Sequence, residues 1–98
     1  MKRLLVCLLL VGVVGCGGRG ARREYNKGNE FFDSHDWGTA IVAYTEAIRL
    51  DPDYAEAYLK RAKAYMEEGN WDEAVVDCTE VIRRKPNYAE AYLLRARA

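Results

Sequence analysis

The chain has 98 residues and a mass of 11.2 kDa, enough for one small domain but thin for an enzyme with a buried active site. Its 15 Lys and Arg residues balance 15 Asp and Glu residues, so the basic excess typical of nucleic-acid-binding proteins is absent. These quantities argue against a multi-domain machine, a metabolic enzyme and a nucleic-acid-binding protein.

The first 15 residues follow the order of a secretory signal peptide. Lys2 and Arg3 precede an apolar run of 11 residues from Leu4 to Val14, and small residues come next. A helix of that length spans about 16 Å, roughly half of a bilayer core, so a membrane-spanning helix is the weaker interpretation. We therefore interpret residues 1–15 as a signal peptide.

The end of this segment, Val13-Val14-Gly15-Cys16, resembles the lipobox of bacterial lipoproteins, although Leu is more usual at its first position. The resemblance implies that the Cys16 sulfur carries a diacylglyceryl group and that the chain is cut before Cys16. Residues 16–20 would then be the lipidated cysteine and a flexible tether. The alternative is an ordinary signal peptide in which Cys16 is accidental.

The lipoprotein resemblance also implies a location. The mature protein would be anchored by its lipid on the periplasmic side of a bacterial membrane. In Gram-negative lipoproteins an Asp directly after the lipidated Cys retains the protein in the inner membrane. Gly17 stands at that position here, which implies the outer membrane.

The rest of the chain repeats at an offset of 34 residues. The block 54–64 recurs as 88–98 with nine of eleven positions identical, and the same offset links Trp37 to Trp71. A fixed period of this length indicates a stack of similar structural units.

Apolar residues recur at helical spacing within each unit, as in Ala74, Cys78 and Val81, and no segment alternates as a strand does. The sequence therefore predicts five helices, over residues 22–34, 37–50, 54–68, 71–84 and 88–98.

Residues at the helix ends support these bounds. Asp36 is predicted to cap the second helix, and Gly69 is predicted to end the third. Capping boxes are predicted at three further starts, formed by Asp53 with Glu56, Asn70 with Glu73, and Asn87 with Glu90.

The 34-residue unit resembles the tetratricopeptide repeat. The signature small and large residues of that family fall in the first unit, 21–54, on Gly28, Phe31, Ala40, Tyr44, Ala47 and Pro52, and in the second unit, 55–88, on Ala62, Tyr65, Gly69, Ala74, Val81 and Pro86. The second unit has Cys78 where Tyr or Phe is favoured. The resemblance implies an all-α fold, a right-handed α-solenoid of antiparallel helix pairs, with residues 89–98 as a partial third unit or a capping helix.

The family resemblance also implies a binding groove. In this family the first helices of successive units hold an extended or helical peptide of a partner protein. Carried over by position, the groove is lined by Arg22, Tyr25, Asn26, Asn29, Phe32, Asp33, Glu56, Leu59, Lys60, Lys63, Met66 and Glu67.

One subtype of the family clamps the C-terminal carboxylate of chaperone tails with Lys and Asn side chains. Asn29 matches one clamp position, whereas Tyr25, Lys60, Glu90 and Leu94 stand at the others. A carboxylate at Glu90 would repel the carboxylate of such a ligand. We therefore expect that the ligand is not a chaperone tail.

No residue pattern indicates catalysis, a metal site or a cofactor. His35 beside Asp36 fits a turn between helices, since His tolerates a positive φ and the chain contains no second His. Cys78 is predicted to lie in the core as a small apolar residue.

The sequence thus favours a lipid-anchored, non-catalytic scaffold that holds a partner protein at the bacterial cell envelope. The alternative is that the chain is the N-terminal part of a longer tetratricopeptide protein whose functional domain lies beyond Ala98. Leu93 and Leu94 would leave apolar surface on the last helix, so self-association through that helix is also open.

Overall fold

The computed structural model describes residues 19–98, and within this range it contains five helices and no strand. The first helix, α1, includes residues 19–33. The others are α2 (Trp37–Leu50), α3 (Ala55–Glu68), α4 (Trp71–Arg84) and α5 (Ala89–Arg97). The predicted helices are therefore confirmed, with bounds from α2 onward within one residue. The predicted signal peptide, 1–15, and the predicted lipidation site, Cys16, lie outside the described residues.

Helix α1 is already formed at residue 19, three residues earlier than predicted, so the tether predicted over 16–20 is wrong at its last two positions. Packing explains the longer helix. Ala21 is fully buried, and a Cβ atom on Gly20 would lie 3.3 Å from Cδ1 of Leu50 in α2. The start of α1 thus docks on the end of α2.

Two helix ends follow the sequence prediction. The Asp36 carboxylate accepts a hydrogen bond from the Thr39 backbone N–H, which caps α2. Gly69 ends α3 with a φ of 81°, and its N–H donates to the carbonyl groups of the last turn. His35 also has a positive φ, 63°, as expected for the turn between α1 and α2.

The three predicted capping boxes are wrong. The N-cap residues of α3 and α5 are Tyr54 and Tyr88, one position after the Asp and Asn that were predicted, and neither makes a side-chain cap. Asn70 is the N-cap of α4 but its side chain makes no capping bond either. The Asp53 carboxylate instead lies 3.4 Å from Nε of Arg84. Asp53 and Asn87 thus lie one residue before the position from which a side chain caps a helix.

Helices α2 to α5 each pack against the next along the chain, α5 also contacts α3, and α1 packs against α2. Small residues allow close approach: a Cβ atom on Gly28 in α1 would lie 2.5 Å from the Tyr44 ring in α2. One period later, Ala62 and Cys78 occupy the same two positions, and both are fully buried. The core of the second unit is one cluster from α3, α4 and α5 that includes Leu59, Val81 and Leu94.

A buried ion pair joins α3 to α4. Nε and Nη2 of Arg61 donate to the two carboxylate oxygens of Asp77 at 2.8 and 2.7 Å. The Asp77 side chain is only 2% exposed, and burial raises the pKa of this carboxyl, which Arg61 counteracts. Within residues 19–98 no helix combines the length and the apolar character needed to cross a membrane.

Candidate functional site

A cleft of about 440 Å³ opens on the surface formed by α1, α3 and α5, which are the first helices of successive units. Four apolar side chains line it, those of Phe32, Met66, Leu93 and Leu94. Two bases and two acids complete the lining, namely Lys63, Arg97, Glu67 and Glu90. The cleft therefore offers apolar contacts together with charges of both signs and no net charge.

Contacts between helices hold the charged groups in place. Nζ of Lys63 in α3 lies 2.5 Å from Oε1 of Glu90 in α5. Nζ of Lys60 lies 4.4 Å from the centroid of the Phe32 ring, a cation–π contact that joins α3 to α1. Burial at this contact lowers the pKa of Lys60. Both lysines are thus engaged within the protein.

The structure brings together in the cleft four of the twelve residues that the sequence predicted for the groove, which are Phe32, Lys63, Met66 and Glu67. Phe32 packs edge-on against Trp37 with ring centroids 5.0 Å apart, so its ring is fixed by α2. Met66 is half-buried against the core cluster and presents its remaining surface to the cleft.

Two predicted groove residues on α1 are held by aromatic neighbours. The Tyr25 ring lies 5.8 Å from that of Tyr44 and 5.0 Å from that of Tyr54. The Tyr44 hydroxyl donates a 2.6 Å hydrogen bond to Oδ1 of Asn29. Both Tyr25 and Asn29 are half-buried, and they keep only part of their surface for a ligand.

The remaining predicted groove residues do not line the cleft. Arg22 and Asn26 are exposed and line a separate hollow on α1, and Asp33 is exposed at the end of that helix. Glu56 pairs with Lys85 across 2.6 Å. Lys60, as described above, covers the Phe32 ring.

Leu59 corrects the predicted groove. Its side chain is 3% exposed and belongs to the core cluster together with Ala91 and Leu94 of α5. Because α5 stacks beside α3, it covers the side chain that the sequence assigned to the surface. Leu94 is likewise only 7% exposed, so the predicted apolar surface of the last helix comes from Leu93, which is 67% exposed.

The predicted groove lining left out the α5 side of the cleft, of which only Glu90 and Leu94 were considered, as clamp positions, although the repeat contained the signal for all of it. Glu90, Leu93, Leu94 and Arg97 are each 34 residues beyond a predicted groove residue, respectively Glu56, Leu59, Lys60 and Lys63. Applying the repeat offset to the groove positions once more would have identified all four.

Five side chains stand at the carboxylate-clamp positions, and none offers an unengaged positive charge. Lys60 lies on a ring, Glu90 is paired with Lys63, and Leu94 is buried. Tyr25 and Asn29 are fixed by α2 and its neighbours. The one positive charge at these five positions, that of Lys60, therefore already has a partner within the protein.

The two residues considered for chemistry have structural roles. Cys78 is fully buried, and burial raises the pKa of its thiol to about 11, so the thiol stays protonated near neutral pH. His35 stacks on Trp37 with ring centroids 5.2 Å apart in the turn after α1. Among residues 19–98 no three His, Cys, Asp or Glu side chains are grouped as a metal site requires.

Comparison with known proteins matches two family descriptions to this chain, "TPR repeat" over residues 28–69 and "Tetratricopeptide repeat" over residues 55–88. Stress-induced-phosphoprotein 1 of Caenorhabditis elegans is 48% identical over 42 residues, which cover 43% of this chain and 13% of that protein. The chain spans only 5–13% of the length of the curated relatives it matches.

Solved structures resemble the whole helical stack. The TPR domain of Arabidopsis OM64 matches with a TM-score of 0.79 and 32% identity, covering 81% of this chain and 65% of that one. The second TPR of Spaghetti (RPAP3), bound to the HSP90 peptide SRMEEVD, matches with a TM-score of 0.75 and 35% identity, covering 76% of this chain and 69% of that one. These likenesses confirm the all-α solenoid.

Proposed function

Because this chain belongs to the tetratricopeptide repeat family, we propose that it is an adaptor that binds a peptide segment of a partner protein in the cleft between α1, α3 and α5. The cleft itself carries the proposal, since it combines apolar side chains with charges of both signs. Several matched members of the family are themselves bound to peptides. The function is binding and positioning, without catalysis.

The lining of the cleft defines the kind of peptide. Apolar side chains of the ligand would contact Phe32, Met66 and Leu93, and flanking charged groups would pair with Arg97 and Glu67. A peptide with alternating apolar and charged residues meets both needs. Glu90 stands at a clamp position and pairs with Lys63, so it offers a terminal carboxylate no positive charge, and we expect an internal segment to be the ligand.

We further propose that the adaptor is anchored by a lipid on Cys16 at the periplasmic side of a bacterial membrane, the outer membrane in a Gram-negative cell. The order of basic, apolar and small residues before Cys16 supports this location. The adaptor would then hold its partner close to the bilayer as a scaffold of the cell envelope.

A peptide-display selection with the full chain tests the binding proposal. We expect enriched peptides of mixed apolar and charged sequence, and we expect Leu93→Glu to weaken their binding at least about tenfold, because it places a charge in the apolar lining. Val76→Glu is the matched control, since Val76 is 61% exposed outside the cleft. Equal loss in both variants, or no loss in either, would overturn the assignment of the cleft.

The peptide SRMEEVD, which is bound in the Spaghetti (RPAP3) structure, provides a second test of the proposed ligand class. We expect the full chain to bind it more weakly than the selected peptides. Replacing its terminal carboxylate with an amide should leave that weak binding unchanged. Tight binding that depends on the free carboxylate would contradict the proposed ligand class while leaving the cleft as its site.

The intact mass of the protein extracted from membranes tests the anchor. A chain that starts at Cys16 and carries the added mass of a diacylglyceryl group is expected, and Cys16→Ala should abolish both the cleavage and the added mass. An unmodified chain in both proteins, with masses that differ only by the Cys-to-Ala substitution, would refute lipidation without affecting the peptide-binding proposal.

A further inference from the structure

A basic face lies on α1 outside the peptide cleft. Its members recur at intervals of three and four residues, so they project from one side of the helix, and all of them are exposed. They line a single shallow hollow of about 520 Å³ and comprise Arg19, Arg22, Arg23, Asn26, Lys27 and Glu30. None of these six residues lines the cleft.

The arginines of this face have no carboxylate partner in the described part of the chain, a property that only Arg95 and Arg97 of α5 share among the described arginines. Among residues 19–98 no carboxylate lies within 4 Å of the guanidinium groups of Arg19, Arg22 or Arg23, whereas Lys27 has Glu24 at 3.4 Å. By contrast, Arg49, Arg61, Arg83 and Arg84 each form an ion pair with an acid. The first two turns of α1 therefore form a concentrated positive surface.

The position of this surface in the chain points to what it contacts. Three peptide units separate Cys16 from Arg19, so their Cα atoms are at most about 11 Å apart. At physiological ionic strength the field of a charged bilayer decays over about 8 Å. If Cys16 carries the lipid, the start of the basic face cannot leave the vicinity of the membrane surface.

We propose that the basic face docks on the anionic headgroups of the bilayer that holds the lipid, so that the solenoid lies on the membrane in one orientation; this inference rests on the lipid anchor proposed above. Guanidinium groups suit this role because their planar donors bind phosphate oxygens in pairs. The peptide cleft shares no residue with the basic face, so docking leaves the cleft open to the partner.

Chemical footprinting of the arginines tests the proposal on the full protein. The membrane-extracted protein is reconstituted into phosphatidylcholine vesicles with or without phosphatidylglycerol and treated with phenylglyoxal, and each modified arginine is quantified by mass spectrometry. We expect the anionic vesicles to slow the modification of Arg19, Arg22 and Arg23 about tenfold or more, since each basic residue gains appreciably from an anionic surface. High salt should remove the protection.

The chain supplies its own controls. Arg49 and Arg83 are 66% and 69% exposed and lie outside the basic face, so their modification rates should be the same on both kinds of vesicle. In R22Q/R23Q the protection of Arg19 should fall severalfold, whereas R49Q/R83Q should leave it unchanged. Both pairs of substitutions replace exposed side chains and should leave the fold intact.

The outcomes separate this inference from the proposed function. Equal protection on vesicles without anionic lipid, or protection that survives in R22Q/R23Q, would overturn the inference. So would protection that appears only when an acidic protein, instead of the anionic lipid, is added. The intact mass of the same sample reports the anchor independently. Protection of an unlipidated chain by anionic vesicles would support the basic face and refute the anchor.

Discussion

Helices α3 and α5 begin with nearly the same sequence and have very different surroundings. Leu59 in α3 is 3% exposed, whereas Leu93, its equivalent 34 residues later, is 67% exposed. Tyr58 is 8% exposed and Tyr92 is 42% exposed. Since the residues are the same, the neighbours of each helix decide which side chains form the core.

The neighbours differ in a simple way. Helix α3 packs against α2, α4 and α5 and also contacts α1, whereas α5 packs against α4 and α3. Ala57 in α3 and Ala91 in α5 are both fully buried, because each lies on a side of its helix that packs against a neighbouring helix. A side chain in this stack is therefore stabilised by the next helix as much as by its own chemistry, as expected for repeat proteins.

Among the equivalent residues of α3 and α5, Arg61 and Arg95 should differ most in the unfolding free energy that is lost on substitution by alanine. Arg61→Ala leaves the buried Asp77 carboxylate without its partner, which should cost about 3–5 kcal/mol of unfolding free energy. Arg95→Ala removes an exposed side chain that lies 5.6 Å from the Tyr92 ring centroid and forms no ion pair with a described residue, so it should change stability by no more than about 0.5 kcal/mol. Urea denaturation followed by circular dichroism measures both. Similar costs would show that the Arg61–Asp77 pair does not stabilise the stack.

Leu59 and Leu93 test the same comparison of α3 with α5 through uncharged side chains. Leu59→Ala creates a cavity in the core cluster and should cost about 2–5 kcal/mol, whereas Leu93→Ala should cost no more than about 0.5 kcal/mol. Thermal unfolding of the two variants side by side is the measurement. A large cost for Leu93→Ala would mean that its surface is covered in solution, which concentration-dependent sedimentation could then trace to self-association.

The same comparison explains how far the sequence could predict this molecule. The 34-residue period and the helical spacing of apolar residues were sufficient to predict five helices and the burial of Cys78, because both depend on the local residue pattern. The burial of Leu59 could not be predicted in this way, since it depends on the stacking of α5. The predicted cap at Asp53 is wrong because α3 begins one residue later, with Tyr54 as its N-cap, and cap positions cannot be fixed to one residue from the sequence pattern.

Helix α1 is the equivalent of α3 in the first unit, and there the size difference between the two facing positions is larger. Gly28 faces the Tyr44 ring, whereas Ala62 occupies the equivalent position and is paired with the smaller Cys78. Gly28→Ala would place its Cβ atom 2.5 Å from Tyr44 Cε1, so it should lower the unfolding free energy by about 1–3 kcal/mol. Urea denaturation followed by circular dichroism measures the change.

Gly38→Ala in α2 is the matched control for this prediction. A Cβ atom there would make only an ordinary contact, 3.7 Å from Glu68 Oε2, and alanine is the better helix former, so we expect stabilisation by about 1 kcal/mol. If both substitutions stabilise the protein, the close approach of α1 to α2 is not a constraint on the sequence.

Substitution of a paired surface carboxylate should have the smallest effect on the stability of the protein. Glu56 and Glu90 are repeat equivalents, and each pairs with a lysine, Lys85 and Lys63 respectively. The hydrogen bond from Lys85 lowers the pKa of Glu56 below its ordinary value of 4.5. A carboxyl whose pKa is lowered by folding stabilises the protein above its unfolded pKa, and this stabilisation is lost as the pH falls through the folded pKa.

Glu56→Gln should therefore lower the melting temperature by about 2–4 °C at pH 7, since exposed pairs contribute little. The difference from the unsubstituted protein should shrink as the pH falls below 4.5 and vanish once Glu56 is protonated in the folded state. Melting curves between pH 2.5 and 7 measure this. A difference that stays constant over this range would show that the glutamine substitution acts through packing on α3, and the Glu56–Lys85 pair would then contribute nothing to the stacking of the second unit.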